Sequence, residues 1–199
     1  MNTDYAKNAM LGADPSAYLS LHTAWSATGA SEVTGGSPAY ARKAASWGSA
    51  SGGSRALSSA VTLDMPGNAV TPVVALYVGR WDAATSGNFL GMSPLGGSEK
   101  KFSVDLTADT VIEPGHGRVN GSQVVFIGGT APGGLTAGTS YFVVSAATDT
   151  YQVAATSGGS AINLTAHPTD GCVVSKIIPQ TFTSQGTLQI TSLPLTIAG

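Results

Sequence analysis

The sequence carries few charged residues for its length. Only 10% of its 199 residues are Asp, Glu, Lys or Arg, whereas an ordinary soluble domain has about 25%. Glycine is abundant instead, with 26 residues, and 42% of the chain is hydrophobic. Because catalysis and nucleic-acid binding both depend on charged groups, this composition favours a β-rich structural or interaction module over an enzyme.

Basic residues are also too scattered to form a nucleic-acid-binding surface. The formal net charge is -2, and the chain has nine Lys and Arg residues in all. Nucleic-acid-binding domains usually concentrate such residues on one face or along one stripe. We therefore expect no nucleic-acid partner.

Cysteine and long apolar runs are nearly absent. The single cysteine, Cys172, excludes an intrachain disulfide and a cysteine-based zinc site, and its apolar neighbours predict a small buried hydrophobe. No apolar run approaches the ~18 residues that a membrane span needs. The N-terminal residues also lack the basic and apolar regions of a signal peptide. We expect a soluble protein with no membrane partner.

Short apolar segments with a two-residue repeat fill most of the chain. One helix is predicted first, capped by Thr3 or Asp4 and ending near Gly12. Leu19 and Leu21 then share one face of a half-buried strand. Many short strands separated by Gly and Pro predict an all-β sandwich or barrel. The predicted strands cover residues 40–47 (whose alanines also allow a helix), 57–63, 70–79, 89–92, 102–106, 124–127, 141–145, 151–154, 172–178 and 187–197.

Two regions of the chain differ in composition. Residues 105–175 are dense in Thr, Gly and Val, contain a single basic residue, and include their own set of hairpin signals. The segments on either side share a different pattern. We therefore predict a discontinuous, jelly-roll-like β-sandwich formed by residues 1–104 and 176–199, with a small β domain inserted at 105–175.

The acidic residues and histidines form no recognisable reactive motif. Asp105, Asp109, Glu113 and His116 are the best metal-ligand candidates by residue type, but they lack the Asp-rich, Gly-centred loop of a calcium motif. The acids fall on separate predicted strands and so predict no glycosidase pair. No Gly-x-Ser-x-Gly segment stands at a strand-to-helix turn. We predict no catalytic residue, no metal site and no cofactor.

Aromatic residues and one histidine remain as candidates for recognition. A tryptophan beside polar loops can stack on a sugar. Trp47 and Trp81 border predicted strands and are expected in the core. Trp25, next to the polar loop at 26–36, is the candidate surface contact. His22 follows an apolar strand and is expected to be packed or hydrogen-bonded, not to act as a base.

Two groups of segments carry a family resemblance. The first group comprises Tyr18–Ala24, Glu32–Gly36, Tyr40–Lys43, Trp47, Val73–Val78, Trp81–Ala84, Gly87–Gly91 and Gln180–Ile190. The second comprises His116–Gly121, Pro132–Thr139, Tyr141–Val144 and Tyr151–Val153. The first group resembles small accessory virion proteins of tailed bacteriophages, known as tail-fibre or minor tail proteins. The second group resembles a repeatable β module of phage tail proteins.

The resemblance implies a structural accessory protein on the exterior of a virion, assembled in the host bacterial cytoplasm. In this interpretation residues 1–104 and 176–199 dock on other virion proteins. We expect a homo-oligomer, with a trimer as one candidate state, and a host surface glycan is a further candidate partner. Two alternatives to a minor tail component stay open: a decoration protein of the capsid and a host-carbohydrate-binding module.

Overall fold

The structure is a computed structural model that describes residues 3–97 and 99–197. Their regular secondary structure consists of strands and one short helix, so the all-β prediction is confirmed. The single described helix is α1 (Asp4–Gly12). The strands are β1 (Tyr18–His22), β2 (Lys43–Ala44), β3 (Ser54–Arg55), β4 (Val61–Met65), β5 (Val73–Ala75), β6 (Tyr77–Trp81), β7 (Phe89–Pro94), β8 (Glu99–Lys100), β9 (Ser103–Asp105), β10 (Thr110–Ile112), β11 (Gln123–Ile127), β12 (Ser140–Val144), β13 (Thr150–Ala154), β14 (Val173–Ile177), β15 (Gln180–Phe182), β16 (Gly186–Ile190) and β17 (Leu195–Thr196).

The chain divides into two compact units. Unit 1 contains the described residues of 1–23, 27–93 and 180–199, and unit 2 contains residues 24–26 and the described residues of 94–179. Unit 2 is thus longer than the predicted insertion at 105–175. Strands β8 and β9 begin before residue 105, and they belong to unit 2 because they pair with β14 and β10. An inserted domain of the phage-tail type stays a prediction.

Helix α1 belongs to unit 1 and forms where the capping signals predict it. The Thr3 hydroxyl accepts a hydrogen bond from the backbone N–H of Ala6 at 3.3 Å, as an N-cap residue does. Leu11 is the buried side chain of the helix. At the other end, the guanidinium of Arg55 donates to the carbonyl of Leu11, which satisfies one of the last carbonyls of the helix.

The main sheet of unit 1 has the strand order β2-β1-β6-β7. Strand β1 pairs antiparallel with β6 over its full length. The sequence predicts one buried face, carrying Leu19 and Leu21, but the structure also buries Ser20 and His22, both 0% exposed. The half-buried interpretation of this strand is therefore wrong. Its polar face is covered because neighbouring side chains hydrogen-bond to it.

The C-terminal strands complete unit 1 by running back along residues 54–75. Strands β15, β16 and β17 pair antiparallel with β5, β4 and β3, in that order. In β4 the buried residues Val61, Leu63 and Met65 alternate with more exposed ones, which is the two-residue period of a strand with one buried face. Two distant segments therefore form one interrupted antiparallel ribbon.

The ribbon contains a protruding loop that interrupts the predicted strand at 70–79. Between the paired segments, residues 66–72 on one side face only residues 183–185 on the other. The longer side must therefore project, and Val70 within it is 89% exposed. The remainder of the predicted strand is divided into β5 and β6.

The predicted strand at 40–47 is wrong for most of its length, since only β2 is a strand there. The Tyr40 hydroxyl accepts a hydrogen bond from the backbone N–H of Leu21 at 2.6 Å, and the Tyr40 N–H donates to the carbonyl of Gly35 at 2.7 Å. A side chain thus connects this segment to β1 where a strand would use its backbone.

Unit 2 is built on one sheet of seven strands, in the order β8-β14-β11-β12-β13-β10-β9. Its two edge strands, β8 and β9, are separated along the chain only by Lys101 and Phe102, so their adjacent ends lie no more than about 11 Å apart. Seven strands in a flat sheet would place the edges about 29 Å apart. The sheet therefore curls into a barrel-like form, which brings its edges together.

The interior of this barrel is apolar. Phe126 packs edge-on against Phe102, with ring centroids 5.1 Å apart. Cys172 is partly buried against the same core, and burial raises the pKa of its thiol, as expected of a small hydrophobe. The buried core residues are Val104, Val111, Val124, Phe126, Ala131, Tyr141, Val143, Tyr151, Val153, Leu164 and Val174.

Candidate functional site

A buried polar cluster in unit 1 includes the serine and histidine of β1. The indole N–H of Trp81 donates to Ser20 Oγ at 2.8 Å, and Ser20 Oγ lies 2.7 Å from His22 Nε2. A hydroxyl has one proton and two lone pairs, so Ser20 Oγ accepts from Trp81 and can still either donate to Nε2 or accept from it. The other ring nitrogen, Nδ1, lies 3.4 Å from the hydroxyl of Ser31. Each ring nitrogen of His22 therefore has a hydroxyl partner.

Burial is the main reason that His22 stays neutral. Burial, with a smaller contribution from the positive charge of Arg42, lowers the pKa of His22 from 6.5 to about 4. The Ser20–His22 distance is that of a nucleophile and its base, but both residues are 0% exposed. The cluster holds β1 against β6 inside the core, which agrees with the prediction that His22 is packed and hydrogen-bonded.

Arg42 connects three separate segments of unit 1. Its guanidinium pairs with Glu32 through Nε–Oε1 at 3.0 Å and Nη2–Oε2 at 2.8 Å. Its Nη1 donates to the carbonyls of Ala83 and Ser86 at 3.3 and 2.6 Å. The guanidinium also lies 3.3 Å from the ring centroid of Trp81, a cation–π contact. The role of this side chain is therefore to fix loops.

The polar cluster of unit 2 is a buried ion pair with a tyrosine. Arg118 donates to both carboxylate oxygens of Glu113, at 2.8 and 2.9 Å, and the two side chains are only 4% and 5% exposed. The hydroxyl of Tyr151 donates to Glu113 Oε2 at 3.1 Å. Burial raises the pKa of Tyr151, so the phenol keeps this proton. The cluster fixes the turn between β10 and the residues before β11.

The four metal-ligand candidates do not come together. Glu113 and His116 share one turn, but Glu113 is committed to the ion pair. Asp105 accepts backbone N–H bonds within its own turn, from residues 107 and 108, and Asp109 accepts from the N–H of Leu164 at 2.8 Å. Among the described residues, no three His, Cys, Asp or Glu side chains are grouped so that they could hold a metal ion.

Sequence reasoning missed Arg118 and Tyr151, the partners of Glu113. One signal for Arg118 was present, since opposite charges stand on either side of a Pro-Gly-His-Gly turn. Tyr151 had no such signal, because it comes from β13 and reaches Glu113 only through the pairing of β13 with β10.

The three tryptophans have different environments. Trp81 is in the core, as predicted. Trp47 is half-buried, which corrects the prediction of a core residue: its indole N–H donates to the carbonyl of Ser16 at 2.7 Å, and polar contacts of this kind suit the rim of a core. Trp25 is half-buried in unit 2, and a Cβ added at Gly138 would lie 2.2 Å from its ring. A surface contact through Trp25 stays a prediction.

A few large apolar side chains are exposed. In unit 1 they are Tyr5 and Met10 on α1 and Val70 on the protruding loop, and in unit 2 they are Val119 and Ile178. Exposed apolar residues can mark places where another protein binds. Within residues 3–97 and 99–197, no helix has the length and apolar character needed to cross a membrane.

These features define an all-β protein whose reactive-looking side chains connect segments of the fold. The family model described as Podophage GP4 fiber I protein gp80 matches residues 3–109, which is just over half of the chain. The chain therefore belongs to this family and is a structural protein of the phage tail-fibre type, a component of the virion that contacts other virion proteins. No curated protein and no solved structure matches it.

Proposed function

We propose that this fibre protein is a non-enzymatic component of the virion exterior that attaches through unit 1 and presents unit 2 to the surroundings. The family match carries the proposal. It begins at residue 3 and ends at residue 109, so it includes α1, strands β1 to β7 of unit 1, and the first two strands of unit 2, β8 and β9. The part of the chain shared with the family is suited to the common task of attachment.

The environments of the reactive-looking side chains support a structural role. The Ser20–His22 pair has no exposed surface, and a substrate cannot reach a nucleophile that is enclosed in the core. Glu113, the most deeply buried acid of unit 2, is neutralised by Arg118. These groups are placed to stabilise the fold, where catalysis would require access to solvent.

The exposed residues of unit 1 indicate where attachment would occur. Among the described residues of unit 1, the large apolar side chains that are exposed are Tyr5, Met10 and Val70. Apolar surface that is covered on assembly stabilises an interface. The low charge of the chain also limits repulsion between identical neighbours. Exposed apolar surface and low charge would also favour contacts between copies of the chain in a homo-oligomer, for which a trimer is one candidate state.

Immuno-gold labelling of intact particles with an antibody against residues 105–175 tests the location. We expect gold at the tail, which would make binding to a host surface glycan the next question, to be addressed with a glycan array. Gold over the shell would replace the tail assignment by capsid decoration. If no particle is labelled while mass spectrometry finds the protein in the particles, exposure of this segment on the exterior is wrong.

A second experiment tests attachment through unit 1. The double variant Tyr5→Asp and Met10→Asp places charge on exposed apolar positions of α1, and we expect fewer copies of the protein per particle. Val119→Asp makes the same change at an exposed position of unit 2 and should leave the copy number unaltered. Circular dichroism of each purified variant checks that its fold is intact. Equal copy numbers in all three proteins would contradict docking through α1.

A further inference from the structure

The turn formed by residues 113–118 in unit 2 contains a histidine whose ring accepts a backbone hydrogen bond. His116 Nδ1 accepts a hydrogen bond from the backbone N–H of Arg118 at 2.8 Å. A ring nitrogen can accept only while it carries no proton. Nε2 lies 3.4 Å from the carbonyl oxygen of Thr150, which suits the nitrogen that carries the proton. The fold therefore selects the neutral imidazole with its proton on Nε2.

Several ionisable groups surround this imidazole. Glu113 and Arg118 belong to the same turn and neutralise each other in the buried ion pair. From the β12–β13 connection, Asp149 accepts the backbone N–H of residue 115 at 2.8 Å. From β13, the ring of Tyr151 packs edge-on with its centroid 5.0 Å from that of His116. His116 itself is half-exposed, so a proton can reach it from solvent.

We infer that the 113–118 turn is a pH-sensitive element of unit 2. It loses the hydrogen bond between the Arg118 N–H and the His116 ring when His116 takes up a proton. The proton comes from solvent and forms an Nδ1–H bond, and the hydrogen bond from the N–H of Arg118 is lost because two donors then face each other. Histidine side chains commonly change charge between about pH 5 and 8. Loss of this hydrogen bond would allow the backbone of Arg118 to move, and this would disturb the ion pair between its guanidinium and Glu113.

The first test is amide hydrogen exchange of the full chain, followed by NMR. The protection of the Arg118 amide, corrected for the intrinsic pH dependence of exchange, should fall about tenfold between about pH 8 and about pH 5, which corresponds to the loss of one hydrogen bond. The ¹⁵N spectrum of the imidazole at about pH 8 should show an unprotonated Nδ1 and a protonated Nε2.

A variant separates this histidine from the carboxylates nearby. In His116→Asn the side-chain oxygen can accept the N–H two residues further on, as in an Asx-turn, and it does not titrate over this pH range. We expect the Arg118 amide of this variant to stay protected at both pH values. His167→Asn removes an exposed histidine of the same unit and should keep the pH dependence of the unmodified chain.

Three results would overturn the inference. One is a protection factor at Arg118 that does not change between the two pH values in the unmodified chain. Another is the same pH dependence in His116→Asn, which would assign the effect to Glu113 or Asp149. If that variant does not fold, the imidazole spectrum decides: a protonated Nδ1 at about pH 8 is incompatible with the hydrogen bond on which the inference rests.

Discussion

The two units of this chain are held together in different ways. The seven strands of unit 2 form one sheet whose edges are joined by a link of two residues, and its core is one apolar cluster. The described strands of unit 1 form one four-stranded sheet and three two-stranded pairs. Unit 1 also contains three of the four arginines of the chain, Arg42, Arg55 and Arg80, and each donates to backbone carbonyls of other segments.

The difference shows how a chain with few charges uses them. In unit 2 the charged groups that reach the backbone are carboxylates, since Asp105, Asp109 and Asp149 accept N–H bonds in the connections between strands. Where the sheets are small, carbonyls remain that guanidinium groups can satisfy. Arg80, for example, reaches Asp14 at 3.0 Å and the carbonyl of Leu90 at 3.1 Å. The arginine of unit 2, Arg118, differs from these because its guanidinium pairs with the carboxylate of Glu113.

The largest expected effect comes from removing the buried carboxylate of unit 2. Glu113→Ala leaves the guanidinium of Arg118 buried without a counter-charge, and loss of one partner of a buried pair costs about 3–5 kcal/mol of unfolding free energy. Urea denaturation followed by circular dichroism measures the change. The matched variant in unit 1 is Glu32→Ala, whose pair is 11% and 19% exposed. We expect a smaller loss there, about 1–3 kcal/mol, and equal losses would remove this distinction between the units.

The next effect is a pH dependence of the unfolding free energy that arises from His22 in unit 1. His22 has a pKa of about 4 in the folded protein against 6.5 for an ordinary histidine, so the unfolded chain binds the proton more readily. Stability is therefore complete above about pH 6.5 and declines as the pH falls towards about 4, by about 3 kcal/mol over the whole range. Urea midpoints at intervals above about pH 5 avoid most carboxylate titration.

His22→Gln removes the titrating group and provides the control for this pH dependence. Its unfolding free energy should vary less between about pH 6.5 and about pH 5 than that of the unmodified chain. An identical pH profile in both proteins would mean that another group causes the loss.

An intermediate effect is expected where Trp25 lies against a glycine of unit 2. Gly138 has φ +80°, and a Cβ there would lie 2.2 Å from the Trp25 ring. Gly138→Ala should cost about 2–3 kcal/mol and change tryptophan fluorescence, because it combines backbone strain with overpacking. Gly171 has φ +73° but open space around it, so Gly171→Ala should cost only about 1 kcal/mol. Equal losses of unfolding free energy in the two variants would show that the Trp25 ring moves aside without a loss of stability.

The smallest effect concerns the most exposed ion pair. Lys43 contacts Asp64 at 2.7 Å, with side chains 38% and 24% exposed. Solvent screens such pairs, and they contribute about 0–1 kcal/mol. Lys43→Ala should therefore change the unfolding free energy of unit 1 by less than about 1 kcal/mol in urea denaturation. A larger loss of unfolding free energy would mean that the Lys43–Asp64 pair stabilises unit 1 more than the exposure of its side chains suggests.

The strands of unit 2 could be predicted closely from sequence. Tyr141 and Val143 in β12, and Tyr151 and Val153 in β13, alternate with more exposed residues, and this pattern is visible within a few residues. Strand β10 was not predicted, because three residues are too few to show a period. Asp105, Asp109, Glu113 and His116 could be singled out only by residue type, which does not show that Glu113 is paired with Arg118.

Unit 1 was harder to predict because its pairings are distant. Strands β3 and β5 are two and three residues long, and their partners come from the C-terminal segment. Residues 40–47 contain a strand-like alternation, but only Lys43 and Ala44 pair with β1 as a strand, and Tyr40 contacts β1 through its hydroxyl. Ser20 and His22 look like the solvent face of a strand, and only their hydrogen bonds to other segments explain their burial.

The sequence by itself determined the all-β class, helix α1 and the hairpin strands of unit 2, since caps, turns and a two-residue repeat act between near neighbours. The tertiary structure decided the ribbon between residues 54–75 and 180–197, the curling of the barrel and the burial of the Ser20–His22 pair. Each of these depends on which distant segments meet. That choice is made by the total surface buried and the hydrogen bonds satisfied over the whole fold, and neither quantity can be found in a local stretch of sequence.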